Sequence, residues 1–242
     1  MEPGKQYKNP PLVEVVFELF FNSKDWQPIV PILFYDKIKT VLPKVGQNSA
    51  VNIELNKKSL RLLGGNENIY QYKSNDGSTL VQLSDRLFTV NKLPPYHGWE
   101  SFYNTIKIAY SFFKEIMPEV DIEKVGFRTI NKIDVGDHNL GKIKEHFNYY
   151  PVLPENVDNN TSSVDLRVEN SIVPNEEVLA LKLQTIKQEP GYVAPVLFQY
   201  YVLRIEKVPN DVMGWVSNAH SVVRETFSKS LTNHSKQKFD EQ

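Results

Sequence analysis

Residues 9–21 read NPPLVEVVFELFF, an apolar run interrupted only by Glu14 and Glu18. Pro10 and Pro11 impose extended backbone at its start and remove two amide donors, which works against a helix. The run is too short to cross a bilayer and carries two acids inside it. A secretory leader is not expected either, because prolines precede the run and large aromatics end it. The β-branched and aromatic content of Val13, Val15, Val16, Phe17, Phe20 and Phe21 points to a strand. With period two, Val13, Val15, Phe17, Leu19 and Phe21 fall on one face and Glu14, Val16, Glu18 and Phe20 on the other, so a core face and a mixed face are expected.

The rest of the chain continues in short elements. PILFYDKIKTVL (31–42) has Pro31 at a first helical position and Phe34, Ile38, Val41 and Leu42 at helical spacing. Five alternating segments follow: AVNIEL, SLRLLG, NIYQYK, STLVQLS and RLFTVNKL. Turn residues such as GGNEN, SNDG and DR separate them, which predicts an antiparallel meander. GWESFYNTIKIAYSFFKEIM (98–117) puts Phe102, Ile106, Tyr110, Phe113 and Met117 on one stripe and predicts a long helix over the sheet. The order then recurs with KVGFRTINKIDV (124–135), GKIKEHFNYY (141–150), strands at 177–187 and 194–208, and a closing helix at 210–231. The expected fold is α+β: an extended, twisted antiparallel sheet with long helices on one face, in two related β-α-β(n)-α halves, 1–120 and 121–242, within one compact structural unit. Six acids against one arginine, with Asn, Ser and Thr, predict a long exposed loop at about 152–177.

At NPPLVEVVFEL, GFRTINKI and VQLSDRLFTVNKL, the chain resembles a sporadically distributed family of uncharacterised bacterial proteins. Gln82, Ser84, Asp85, Arg86, Arg128, Ile130, Asn131, Phe227, Leu231 and Thr232 occupy the places of that family's motifs. The resemblance spans most of the chain. It implies bacterial origin and the fold boundaries, names no reaction, and suits a mobile or defence-associated locus.

Several chemistries lack their residues. There is no cysteine, so disulfides, thiolate nucleophiles and zinc ribbons are excluded. No phosphate-cradling glycine loop, nucleophile elbow or His-Glu-x-x-His motif occurs. The five histidines, His97, His138, His146, His220 and His234, form no ligating pair, and no catalytic residue, metal or cofactor is assigned. Glu14 and Glu18 lie about 13 Å apart along a strand, too far to share one ion. Their expected setting is solvent or a cross-strand base.

The sharpest candidate is the sheet face opposite the helices. Arg61, Gln82, Ser84, Arg86, Arg128, Lys132, Lys182 and Gln184 fall out of phase with the apolar residues of their strands, and Glu14 and Glu18 join them. Such a face is either solvated, with charges paired across strands, or a surface for an anionic or peptide-like partner. Arg128, mid-strand among apolar neighbours, needs a carboxylate or a ligand anion, with Glu14 or Glu18 the nearest candidates. Asn131 alternates to the core side and demands a hydrogen bond there. The expected binding residues are Arg128, Asn131, Arg86, Gln82, Lys182, Glu14 and Glu18.

The expectation is a cytoplasmic, non-catalytic binding or regulatory protein with a protein partner, or a homodimer through the edge of segment 177–187, and no membrane. One alternative is a saddle-like nucleic-acid binder, which the net charge of −1 does not favour. Another is a small-molecule pocket of helix-grip type.

Overall fold

The structure, a computed structural model, describes residues 7–22, 24, 26–49, 68–133, 143–150, 154, 163–173, 176–189, 192–204 and 211–240. It is an α+β fold with antiparallel sheet. Along the chain lie β1 (Leu12–Phe21), α1 (Val30–Ile38), β2 (Lys44–Ser49), β3 (Asn68–Lys73), β4 (Thr79–Leu83), β5 (Leu87–Lys92), α2 (Trp99–Ile116) and β6 (Ile122–Lys132). There follow α3 (Ile143–His146), β7 (Asp165–Val173), β8 (Glu177–Glu189), β9 (Tyr192–Arg204), α4 (Val212–Ser230) and α5 (Asn233–Lys238). Two compact units emerge. A meander unit comprises 16–126 and 203–213, and a long-strand unit comprises 1–15, 127–202 and 214–242, so β1 and β6 each pass from one unit into the other.

In the meander unit the strands run β2-β3-β4-β5-β1-β6. The register of β3 on β4 sets Tyr72 opposite Val81, and that of β4 on β5 sets Val81 opposite Val90 and Leu83 opposite Phe88. These residues meet α1 and α2 in an aromatic core. Phe34 of α1 lies 5.1 Å from the Tyr72 ring and 6.0 Å from Phe88, while Phe113 of α2 stacks on Phe88 at 4.7 Å. Phe21 and Phe17 of β1 extend the same core to Phe113 and Tyr110. The buried Tyr72 hydroxyl donates to the Pro31 carbonyl at 2.8 Å, which ties the first turn of α1 to the sheet. Burial holds that phenol well above its ordinary pKa. The SNDG turn between β3 and β4 is closed by Asp76, whose carboxylate accepts from the Ser74 hydroxyl, the Ser78 amide and the Ser78 hydroxyl. Gly77 there takes φ +74°, which a side chain resists.

In the long-strand unit the order is β1-β6-β9-β8-β7. Its core gathers Ile133, Ile143, Phe147, Val164, Leu183, Leu231 and Phe239. The chain start is fastened here: the Asn9 amide donates to Phe239 O, the Lys132 amide donates to Pro11 O, and Tyr7 packs edge-on against Phe239. Thr232 caps α5 by accepting from the Ser235 amide and donates its own hydroxyl to Glu145 O, holding α3 against α5.

Four expectations change. The 152–177 segment is not wholly loop: Asp165–Val173 form β7, paired in register with β8. Its side chains are nearly all exposed, as expected for an edge strand, so its composition imitates a loop. For the same reason segment 177–187 offers no free edge, since β8 lies between β7 and β9. Segment 44–49 was not foreseen as a strand because KVGQNS lacks alternation; backbone pairing with β3 makes it one. Within 141–150 the described residues form a single helical turn, Ile143–His146, and a further short helix, α5, follows the predicted closing helix. Segments 50–55 and 59–64 and Arg61 lie outside the described residues.

Phe88→Ala removes the ring at the centre of this core and is expected to cost about 3–5 kcal/mol. Tyr72→Phe, which deletes only the bond to Pro31, is expected to cost about 1 kcal/mol. Urea denaturation of the two variants checks both values.

Candidate functional site

Because Val81, Val90, Phe88 and Tyr72 point into the aromatic core, alternation sends the intervening residues to the other face of the meander. Gly46 pairs with Gln71, Gln71 with Gln82, and Gln82 with Thr89, so these residues form one row across β2 to β5. The Phe21 amide donates to Arg86 O at 3.1 Å. The antiparallel register this bond implies sets Glu18 of β1 opposite Thr89 and extends the row to five strands.

This face is not the solvated surface that antiparallel sheets commonly present. Glu18 is 1 % exposed, Gln71 4 %, Thr89 2 % and Ser84 1 %, with Gln82 half-buried. The Thr89 hydroxyl lies 2.7 Å from Asn91 Oδ1 and 3.3 Å from Gln82 Oε1. The single Thr89 proton is thus shared between two side-chain amide oxygens.

Glu14 belongs to the long-strand unit and is also buried, at 9 %. The expectation of solvent around the two β1 carboxylates is therefore corrected: β1 is an interior strand, covered on both faces from Glu14 to Leu19.

In the long-strand unit, α4 identifies the covered face. His220 of α4 packs edge-on against Phe127 of β6, and the Trp215 indole donates to Glu177 of β8 at 3.0 Å. Residues out of phase with Phe127 and Glu177 thus turn away from α4: Arg128 and Lys132 on β6, Lys182 and Gln184 on β8. Arg128 and Lys132 are half-buried, and Gln184 is buried with its Oε1 lacking a hydrogen-bond partner. Lys182 is 18 % exposed and meets Asp165 of β7 at 3.3 Å. Only β9 separates β6 from β8, so these cations sit on strands about 10 Å apart.

The expected binding residues therefore divide. Glu18 and Gln82 meet in the meander row; Arg128 and Lys182 share the outer face of the long-strand unit. Asn131 is buried in phase with Phe127, on the α4 side, with its amide 3.4 Å from the Thr129 hydroxyl, as the alternation of β6 demands. Arg86 is exposed in the Ser84–Leu87 turn, off the strand face on which it was placed, because β5 begins only at Leu87. Gln71 and Gly46 were missed, although NIYQYK, with Gln71 flanked by Tyr70 and Tyr72, carries the signal for an out-of-phase polar residue.

The histidines have varied settings. His97 is exposed, and His138 lies outside the described residues. Buried His146 holds Nδ1 2.9 Å from the Ser235 hydroxyl, which donates to His146 O. Among the described residues no group of three or more His, Asp or Glu is placed to hold a metal ion. No helix among them is long and apolar enough to cross a membrane.

No family model matches the chain, and no curated protein matches it. Among solved structures it aligns with the di-domain ARO/CYC StfQ from the steffimycin biosynthetic pathway at 11% identity, over 94% of this chain and 96% of that one. The TM-score is 0.19, a likeness that carries no weight for fold or function.

His220 yields a pH prediction. Burial, reinforced by the Arg224 charge, pushes its pKa down to about 4. Between that value and the ordinary ~6.5 the unfolded chain binds a proton that the folded chain refuses, so stability falls as pH drops through this window and is fully present above it. The slope from this group is at most about 1.4 kcal/mol per pH unit. Urea melts of wild type and His220→Phe, between pH 7 and 4, should diverge in that window, with the variant losing less.

Proposed function

We propose that this chain is a non-catalytic binding protein that receives an anionic group on the face of the long-strand unit turned away from α4. The observation that carries the reading is Lys182, largely buried beside buried Gln184 on β8, on the same face as half-buried Arg128 and Lys132 of β6. An anion that joins half-buried cations gains charge-assisted hydrogen bonds in a poorly solvated setting. Membership of the sporadically distributed bacterial family that the motifs resemble, with a place in a mobile or defence-associated locus, is part of the same proposal. A nucleic acid is one form the anion can take, with its phosphates as the recognised groups.

Lys182→Ala is the informative variant, because its pairing with largely exposed Asp165 contributes only about 0–1 kcal/mol to the fold. Inorganic phosphate and labelled single-stranded and duplex oligonucleotides are titrated against the full chain at two salt concentrations. Salt-sensitive binding that weakens about tenfold in the still-folded variant is the expected result, since one charge-assisted bond is worth about 1.5–3 kcal/mol. Binding that ignores Lys182→Ala, or no binding of either probe at low salt, overturns the proposal.

A further inference from the structure

β7 is the last strand of the sheet, bonded to β8 on one side and, among the described residues, with no strand on the other. Every side chain from Arg167 to Val173 is exposed. The ladder to β8 tells which backbone groups point outward. The Thr185 amide donates to Val164 O, so these two residues form a hydrogen-bonded pair. In the same register Leu166, Val168 and Asn170 turn their amides and carbonyls towards β8. Asp165, Arg167, Glu169 and Ser171 therefore turn theirs away from it, as a row of donors and acceptors on which another strand can pair.

Edges of this kind are commonly blunted by lysine, proline or a bulge. Residues 165–171 contain neither lysine nor proline, and the irregularity in the β7–β8 register comes only after Ser171. Charges protect an edge when they repel an identical edge, but here the signs alternate at a spacing that matches a second copy. Consider two β7 strands paired antiparallel about a two-fold axis at Val168. Arg167 then lies opposite the partner's Glu169, Glu169 opposite the partner's Arg167, and Asp165 opposite the partner's Ser171. These are the residues whose backbone groups point outward, so about eight backbone hydrogen bonds form between the chains.

Other registers are poorer. An axis at Arg167 opposes two arginines and sets Asp165 against the partner's Glu169; an axis at Glu169 opposes two glutamates; an axis at Asn170 matches no charges. An axis at Leu166 matches Asp165 with Arg167 but overlaps β7 only from Asp165 to Arg167, because the strand begins there. The axis at Val168 also covers Val168 itself, which is 44 % exposed, with its own copy. Arg167 is bonded to Glu169 along its own strand, an exposed pair that contributes little and exchanges for the same contact across strands.

We infer that β7 is a homodimerisation edge, at which two copies of the chain join their long-strand sheets about a two-fold axis at Val168. The partner is a second copy because the charge order of the edge is complementary to itself. The edge is separate from the anion-binding face proposed above and does not depend on it.

Sedimentation equilibrium of the full chain and its charge variants tests the recognition. Wild type is expected to dimerise. Arg167→Glu and Glu169→Arg each oppose like charges across the axis and are expected to weaken the dimer about tenfold, while melting close to wild type because both side chains are exposed. The variant carrying both changes restores opposite charges and is expected to dimerise as wild type does, and an equimolar mixture of the two single variants is expected to form the heterodimer. Oxidation of single-cysteine variants tests the register, in a chain with no cysteine of its own. Val168→Cys is expected to cross-link through the axis, where opposed Cα atoms are about 4.5 Å apart. Ile172→Cys, about 25 Å from its counterpart, is expected not to. A chain that stays monomeric, a dimer that ignores both single reversals, or a dimer that neither the double variant nor the mixture recovers overturns the inference. Ile172→Cys cross-linking as readily as Val168→Cys overturns it equally.

Discussion

The stack of Phe88 on Phe113, 4.7 Å between ring centroids, fixes the sidedness of the meander unit. Phe88 is paired with Leu83, and through strict alternation its orientation decides that of every residue on β3, β4 and β5. A slip of one residue would drive Gln71, Gln82 and Thr89 into the aromatic core, where amides cannot find partners, and turn Tyr72, Val81 and Phe88 out of it. The hydrophobic and polar penalties act in the same direction, so one register dominates. The polar row is thus a direct consequence of how the rings pack on the opposite side.

The two polar faces differ in their electrostatics. The meander row is built from uncharged amides and a hydroxyl with one buried carboxylate at its inner end, a composition suited to directional hydrogen bonding. The outer face of the long-strand unit carries Arg128, Lys132 and Lys182, long side chains whose stems can be buried while their charged ends stay in polar surroundings, Lys182 beside Asp165. The buried His146 and Ser235 pair spends its serine proton on a backbone carbonyl and fastens α3 to α5, which is structural work.

Much of the architecture was legible where periodicity and punctuation agreed. Pro31, the stripe from Phe102 to Met117, the SNDG turn and the proline lead-in to β1 each impose a local backbone whatever surrounds it. The failures share one cause, dependence on a neighbour. KVGQNS becomes a strand because β3 offers it a ladder of backbone bonds, and the exposed edge strand Asp165–Val173 keeps a loop-like composition because only one of its sides is covered. In the candidate site, alternation correctly picked out Gln82, Lys182, Gln184 and Arg128 as out of phase. It misplaced Arg86, which sits in a turn, and passed over Gln71.

The sequence by itself determined which residues of each strand lie on opposite faces, because side-chain alternation is a property of the extended backbone alone. It also determined that cysteine chemistry is absent and that the opening run is a strand. Only the tertiary structure decided whether a given face is wet or buried, since that depends on which segments come to cover it. Burial places Glu14 and Glu18 in the interior, so of the two expected settings, solvent or a cross-strand base, the first is ruled out. Desolvation is a collective effect of distant residues, and no local pattern in the chain encodes it.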